Sequence, residues 1–419
     1  MTRPPGLWRD TCAEPCDGSA LHGNITTDVA IVGGGFTGLS TALHLAQTGC
    51  DVQVVEAGEI GTGASGRNVG LVNAGLWLPP HKIRARLGDG IGDNLVRLLG
   101  DAPAQVFNLI EQHQMHCEPV RAGTIHVAST PQQLDDLRNR AAMWQNLKAP
   151  VTLLSAEQTQ HRTGSPHFIG GLFDARAGTV QPLGYARGLA RAATAAGAQI
   201  STHSRVTTIT RDHDNWQLTT PTGTVTANRV VIATNALTGP LWPGLDRCQS
   251  QISYFQLATE PLGERAAHVL PGGEGIWDCG TIMISLRRDQ AGRIILGSMG
   301  RIIETGRLSQ RWANRTLARL LPDLGAVNWQ QAWHGPIGTT PDKLPRIVQL
   351  DDNVYAPFGY NGRGIAPGTA MGAALAGFLS GTGSLPLPLT PPQPLRAPRL
   401  YARSLDVALL AHKVLRTIV

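Results

Sequence analysis

The stretch that most constrains this chain is TTDVAIVGGGFTGLSTALHLAQTGCDVQVVEA, residues 26–57. An apolar run, a tight glycine turn, an amphipathic helix stopped at Gly49 and a second apolar run read as strand, turn, helix, strand. Within it stands Gly33-x-Gly35-x-x-Gly38. Gly33 permits the turn, Gly35 lets backbone approach a pyrophosphate, and Gly38 lets the helix pack on the strand. Glu56 closes the second strand, where its carboxylate can accept from ribose hydroxyls. An acid at that position disfavours a 2′-phosphate, so the pattern predicts a dinucleotide site but not one for NADP.

A short connection should follow. Instead GTGASGRNVG, residues 61–70, supplies small residues, a serine and an arginine, which suits the far end of a cofactor longer than NAD. Much later, residues 359–368 read GYNGRGIAPG and lead into TAMGAALAGFLSG. This second glycine-rich loop opens onto a helix, and such loops cradle anionic groups. Between the two loops, helical segments surround the strand GTIHVAST, and short alternating strands occupy residues 201–300.

The net charge of +6 and pI of 9.2 come without any lysine or arginine block. Basic side chains scattered over a solvated surface account for them, and an anionic cofactor carries more weight than nucleic acid. Six cysteines in 419 residues form no CxxC pattern, so free thiols in a reducing compartment are expected, with no metal site. No apolar signal region or 18-residue uncharged apolar run appears, which points to a cytoplasmic protein.

Together, the first βαβ unit, GASGRN, VVIATNA and GYNGRGIAPG resemble the D-amino-acid oxidase (DAO) family of FAD enzymes. Within it they are most similar to the bacterial gamma-glutamylputrescine oxidoreductase-like branch. The likeness extends from about residue 26 to 381. It implies an α/β fold, α+β in part: an FAD-binding Rossmann-like domain of the glutathione-reductase/DAO type with a second, mixed-sheet substrate domain. The discontinuous FAD-binding domain is expected from residues 1–85, 178–245 and 331–395. The substrate-binding domain would comprise 86–177 and 246–330, with a C-terminal amphipathic helix at 396–419.

Carried over by motif, the resemblance puts the FAD pyrophosphate at Gly33, Gly35 and Gly38, with Phe36 and Thr37 beside them, and the ribose at Glu56 and Ala57. Ser65, Gly66, Arg67 and Asn68 would follow the pyrophosphate and flavin edge. Val206 would meet the adenine, Thr234 would pass near the cofactor, and Asn361, Gly362, Arg363, Gly364 and Ile365 would face the flavin's pyrimidine end. The branch pattern reads GRNGG, whereas Val69 replaces the first glycine of that pair, which weakens the assignment of contacts through to Leu71. No cysteine lies in the late loops, so FAD is expected to be non-covalent.

The implied reaction is oxidation of a primary or secondary amine or amino acid by hydride transfer to flavin N5, giving an imine that hydrolyses. Oxygen or a respiratory carrier would then reoxidise the flavin. A 2-hydroxy-acid or polyol dehydrogenase and a non-catalytic flavin-binding protein are the alternatives. Tyr254, Arg288, His334 and Tyr360 are the substrate-site candidates, with Phe255, Arg287 and Trp333 beside them; Arg288 would act on a substrate carboxylate. In the tail, Val407, Leu410, Ala411, Val414 and Ile418 fall on one helical face. That stripe is expected to pack on the body or a partner subunit, the alternative being weak peripheral contact with an anionic membrane.

Overall fold

The computed structural model describes residues 6–16, 18–302 and 306–418. Two sheets organise it. In the first, strands Gln199–Ser201, Val52–Val55, Gly23–Val32, Gly223–Ile232 and Val354–Phe358 lie side by side and parallel. All four residues of Val52–Val55 are buried, as expected where helices cover both faces of a parallel sheet. Arg346–Asp351 extends one side antiparallel, and the hairpin Thr208–Asp212 and Asn215–Thr220 pairs onto Gly223–Ile232.

Helix Phe36–Ala46 leaves the first strand through Gly33, whose φ is +108°. A Cβ on Gly38 would lie 2.1 Å from the Gly33 carbonyl oxygen, so this glycine sets how closely helix and turn approach. The small-residue run before residue 381 has a packing cause. Helix Ile365–Leu379 lies against Phe36–Ala46, and a Cβ on Gly372 would fall 2.6 Å from the Thr37 carbonyl oxygen. Hydroxyls fill the seam, with Ser40 donating to the Thr369 carbonyl at 2.8 Å and Thr41 to that of Gly372 at 3.2 Å. Both glycine-rich loops therefore end at helix N-termini held side by side, although more than 300 residues separate them.

The second sheet has eight strands in the order Trp329–Thr339, Ser250–Thr259, Ile294–Met299, Ile284–Arg288, Gly275–Asp278, Thr124–Ala128, Gly170–Asp174 and Val151–Leu154. Strand Trp329–Thr339 pairs along the whole length of Ser250–Thr259. It thus belongs to this sheet, although the expected boundary grouped residues from 331 onward with the first.

The tail forms helix Pro398–Ile418, and the expected stripe does not pack on the body, with Val407, Leu410 and Ala411 exposed and Val414 half-buried; the Ile418 side chain lies outside the described residues. Leu409 and Lys413 are the buried contacts, while Leu400, Tyr401, Val407, Leu410 and Leu415 are exposed. Lys413 lies inward because its Nζ sits 3.7 Å from the Phe255 ring centroid and donates to the Arg301 carbonyl and Ser309 Oγ. Among the described residues no helix is long and apolar enough to cross a membrane.

Candidate active site

A cleft of ≈ 1160 Å³ runs between the two sheets. At one end the segment through Val206 lies beside Glu56, joined by bonds from Ser204 N to the Glu56 carbonyl and from His203 N to that of Gly58. Glu56 Oε2 accepts from Gly34 N at 2.7 Å and Oε1 from Gly58 N at 2.9 Å. Its carboxylate is therefore aligned by two backbone amides at the lip of the glycine turn. Gly33, Gly35, Phe36, Thr37, Ala57 and Thr234 continue this wall. A Cβ on Gly35 would lie 3.0 Å from Ser65 Oγ, and that hydroxyl accepts from Phe36 N at 3.2 Å. Bare backbone at a helix N-terminus is the surface a diphosphate requires.

The loop after Gly61 forms the opposite wall and is heavily cross-tied. Arg67 Nε donates to Thr62 O at 2.8 Å and Nη1 to His334 O at 3.3 Å. Asn68 Nδ2 donates to Ser65 O, and its Oδ1 accepts from Gly70 N. Ser65, Arg67, Asn68, Val69 and Leu71 all line the cleft, so Val69 does not break the wall. Gly38 and Gly66 do not line it. A Cβ on Gly66 would fall 2.2 Å from the Gly61 carbonyl oxygen, which makes this glycine a packing requirement.

At the other end stand Tyr360, Asn361, Gly362, Arg363, Gly364 and Ile365. The Thr37 hydroxyl donates to Tyr360 Oη at 2.9 Å, tying the late loop to the early helix. Asn361, at φ +55°, gives its carbonyl to the Trp77 indole N–H at 2.7 Å and its Oδ1 to Thr340 N at 2.8 Å. The Arg363 guanidinium is buried, 4.4 Å from the ring centres of both Trp77 and Trp277, and donates to the carbonyls of Ala74 and Leu76. Burial lowers its pKa to about 9.

Strand parity separates the remaining candidates. Tyr254 and Gln256 line the cleft, while Phe255 between them packs on Trp312 with ring centres 5.2 Å apart. Tyr254 donates to Ser285 Oγ at 2.8 Å, and burial raises its phenol pKa. His334 is the cross-strand partner of Phe255, so it shares the face turned from the cleft and does not join the site. Burial, then Arg301 and Arg67, lower its pKa. Arg288 is also absent from the cleft: it stands one residue out of phase with Ser285 and Arg287, and donates to the carbonyls of Ala266 and Leu270. Arg287 is fully buried and braces the loop by donating to Val69 O and Val180 O. Trp77, Trp277, Gln256 and Ser285 were missed in sequence, although Gln256 follows Tyr254 at the period of a strand.

A strand–glycine turn–helix opening onto a cleft that reaches a second helix N-terminus, roofed by a separate mixed sheet, defines a flavin-dependent oxidoreductase. The model of the DAO family, FAD dependent oxidoreductases, matches residues 28–377, and the chain belongs to this family. It is 32% identical over 352 residues to the probable oxidoreductase OrdL of Rhizobium meliloti (strain 1021), covering 82% of this chain and 81% of that protein. It is 31% identical over 373 residues to gamma-glutamylputrescine oxidoreductase of Escherichia coli (strain K12), covering 86% and 85%. The solved glycine oxidase of Geobacillus kaustophilus superposes with a TM-score of 0.71 at 22% identity, covering 89% of this chain and 99% of that one, a likeness of fold.

Proposed function

We propose that this protein oxidises the carbon–nitrogen bond of a primary or secondary amine or amino acid, with non-covalent FAD as oxidant and an imine that hydrolyses as product. When bound, the isoalloxazine ring supplies the hydride acceptor. Gly33, Gly35, Phe36 and Thr37 would hold the diphosphate, Glu56 and Val206 the adenosine end, and Asn361 to Ile365 the pyrimidine end.

The observation that carries the reading is the chemistry of the aromatic end. The carboxylates and the histidine lining the cleft are Glu56, Glu59 and His203, none of which stands with Tyr254, Trp77 and Trp277. Asp278 and His126, beside Trp277, do not line the cleft: Asp278 accepts from Ile284 N at 2.8 Å, and His126 Nε2 faces Cys279 Sγ at 3.0 Å. An alcohol must surrender its hydroxyl proton to a base as hydride leaves. A neutral amine expels hydride with its lone pair and needs no such base. The rings of Trp77, Trp277 and Tyr254 exclude water, while Gln256 and Ser285 offer hydrogen bonds that can orient the substrate. The N-terminus of helix Ile365–Leu379 and the Arg363 guanidinium would supply positive potential at the end of the cleft proposed to hold the pyrimidine ring, which favours the negative charge of a reduced flavin. None of the six cysteines lines the cleft, which supports non-covalent attachment.

The test is the flavin absorbance spectrum as amines, amino acids and matched 2-hydroxy acids are added without oxygen. At least one amine or amino acid is expected to bleach it. Bleaching by hydroxy acids alone would replace this reading with a dehydrogenase of that class, and bleaching by nothing would favour a flavin-binding protein without turnover. Readmitting oxygen to the reduced sample then distinguishes oxygen from a respiratory carrier as acceptor.

A further inference from the structure

The family match begins at residue 28, yet residues ahead of it are built into the cofactor cleft. The short helix Leu7–Asp10 buries Leu7 and Trp8 at 2% and 1% exposure. The Trp8 indole N–H donates to Asn68 O at 2.8 Å, and its ring meets that of Trp333 edge-on at 5.8 Å. The Arg287 guanidinium lies 5.3 Å from the Trp8 ring centre, and Gln181 Nε2 donates to Trp8 O at 2.6 Å.

A few residues on, Glu14 is buried and takes two bonds of 2.9 Å from Arg191 and one of 2.7 Å from His116 N. A segment anchored by a buried tryptophan and a buried carboxylate held by Arg191 and His116 N is fixed rather than frayed. Between these anchors Arg9 lines the cleft on the wall it shares with Thr62 and Arg67. Its Nη2 lies 3.6 Å from Glu59 Oε2, and Arg187 Nη2 lies 3.7 Å from the same oxygen. Arg9 and Arg187 thus approach one carboxylate, and Arg67 lines the same small side recess of the cleft.

We infer that residues 6–16 form a strap that completes the FAD site, with Trp8 holding the loop of residues 61–70 against the cofactor and Arg9 adding positive charge for the anionic diphosphate. The inference rests on the FAD site and is independent of which substrate is oxidised. A diphosphate is the anionic part of this cofactor, and guanidinium groups suit its oxygens. A loop wall pinned from behind releases ligand slowly, so the strap acts mainly on dissociation.

The experiment compares FAD affinity and release rate in wild type, Trp8→Ala and Arg9→Gln, by following flavin fluorescence as apoprotein is reconstituted and then diluted. Trp8→Ala is expected to speed release by about tenfold or more, in keeping with loss of a large buried side chain. Arg9→Gln is expected to raise the FAD dissociation constant about fivefold, with the melting temperature of the apoprotein unchanged. Inorganic pyrophosphate should compete with FAD less well in Arg9→Gln than in wild type. Should Trp8→Ala not fold, Arg9→Gln and the pyrophosphate competition still decide the matter. Unchanged affinity, release rate and competition in Arg9→Gln would overturn the role of Arg9, and wild-type release in a folded Trp8→Ala would overturn the strap. These readouts need no turnover, so failure to find a substrate would leave them interpretable.

Discussion

Gly38 and Gly364 stand at the two helix N-termini reached by the glycine-rich loops and are required for different reasons. A Cβ on Gly38 meets backbone at 2.1 Å, whereas one on Gly364 meets nothing within 4 Å because it would project into open space. Gly38→Ala is therefore expected to lower the melting temperature of the apoprotein by several degrees, since helix and turn must separate. Gly364→Val should fold normally but bind FAD more weakly or slow its reduction; equal affinity and reduction rate would refute a close approach there. Glu56 gives a third case. Its two carboxylate oxygens accept from Gly34 N and Gly58 N, and Glu56→Gln replaces one acceptor with a donor facing an amide. A cost of about 1–3 kcal/mol follows from one unsatisfied amide, measurable by denaturant unfolding of the apoprotein, together with weaker FAD binding.

At the scale of elements, the C-terminal helix is held by an unusual anchor. Burial lowers the Lys413 pKa from 10.5 to about 8. Because the folded value is depressed, the undocked helix binds more protons between the two values, and docking strengthens as pH rises through that window. Hydrogen-exchange protection of Pro398–Leu415 should therefore be greater near pH 9.5 than near pH 7.5. Lys413→Met should flatten the dependence, and an unaltered slope in that variant would assign it elsewhere. Sequence legibility divides along the same scale. The first βαβ unit, the loop at 61–70 and the late helix follow from local pattern, because glycine spacing and apolar periodicity are local properties. The neighbours of Trp329–Thr339 do not, because its partner Ser250–Thr259 lies some 70 residues earlier. Once that register is known, parity alone retains Tyr254 in the site and removes His334. Arg288 and the inward-turned Lys413 were hidden for a similar reason: an arginine pair or a tail stripe shows amphipathicity, not which face meets protein.

The whole molecule is two sheets joined across a cleft, with both walls contributing to the cofactor site. A ligand that binds only the folded state stabilises it by mass action, about 2.7 kcal/mol at a hundredfold excess over its dissociation constant. Adding FAD to apoprotein should raise the melting temperature by a few degrees and sharpen the transition; an unshifted melt would show that the cleft does not close on FAD. The strap has a further consequence during synthesis. Trp8 precedes its long-range neighbours along the chain, among them Asn68, Gln181, Arg287 and Trp333. Such distant pairings are made late, so Trp8 cannot complete its packing until Trp333 has been synthesised. If residues 6–16 act as the proposed strap, tight retention of FAD follows these long-range contacts, and a bulky tag fused just ahead of Gly6 is expected to interfere with the last step of assembly rather than the first.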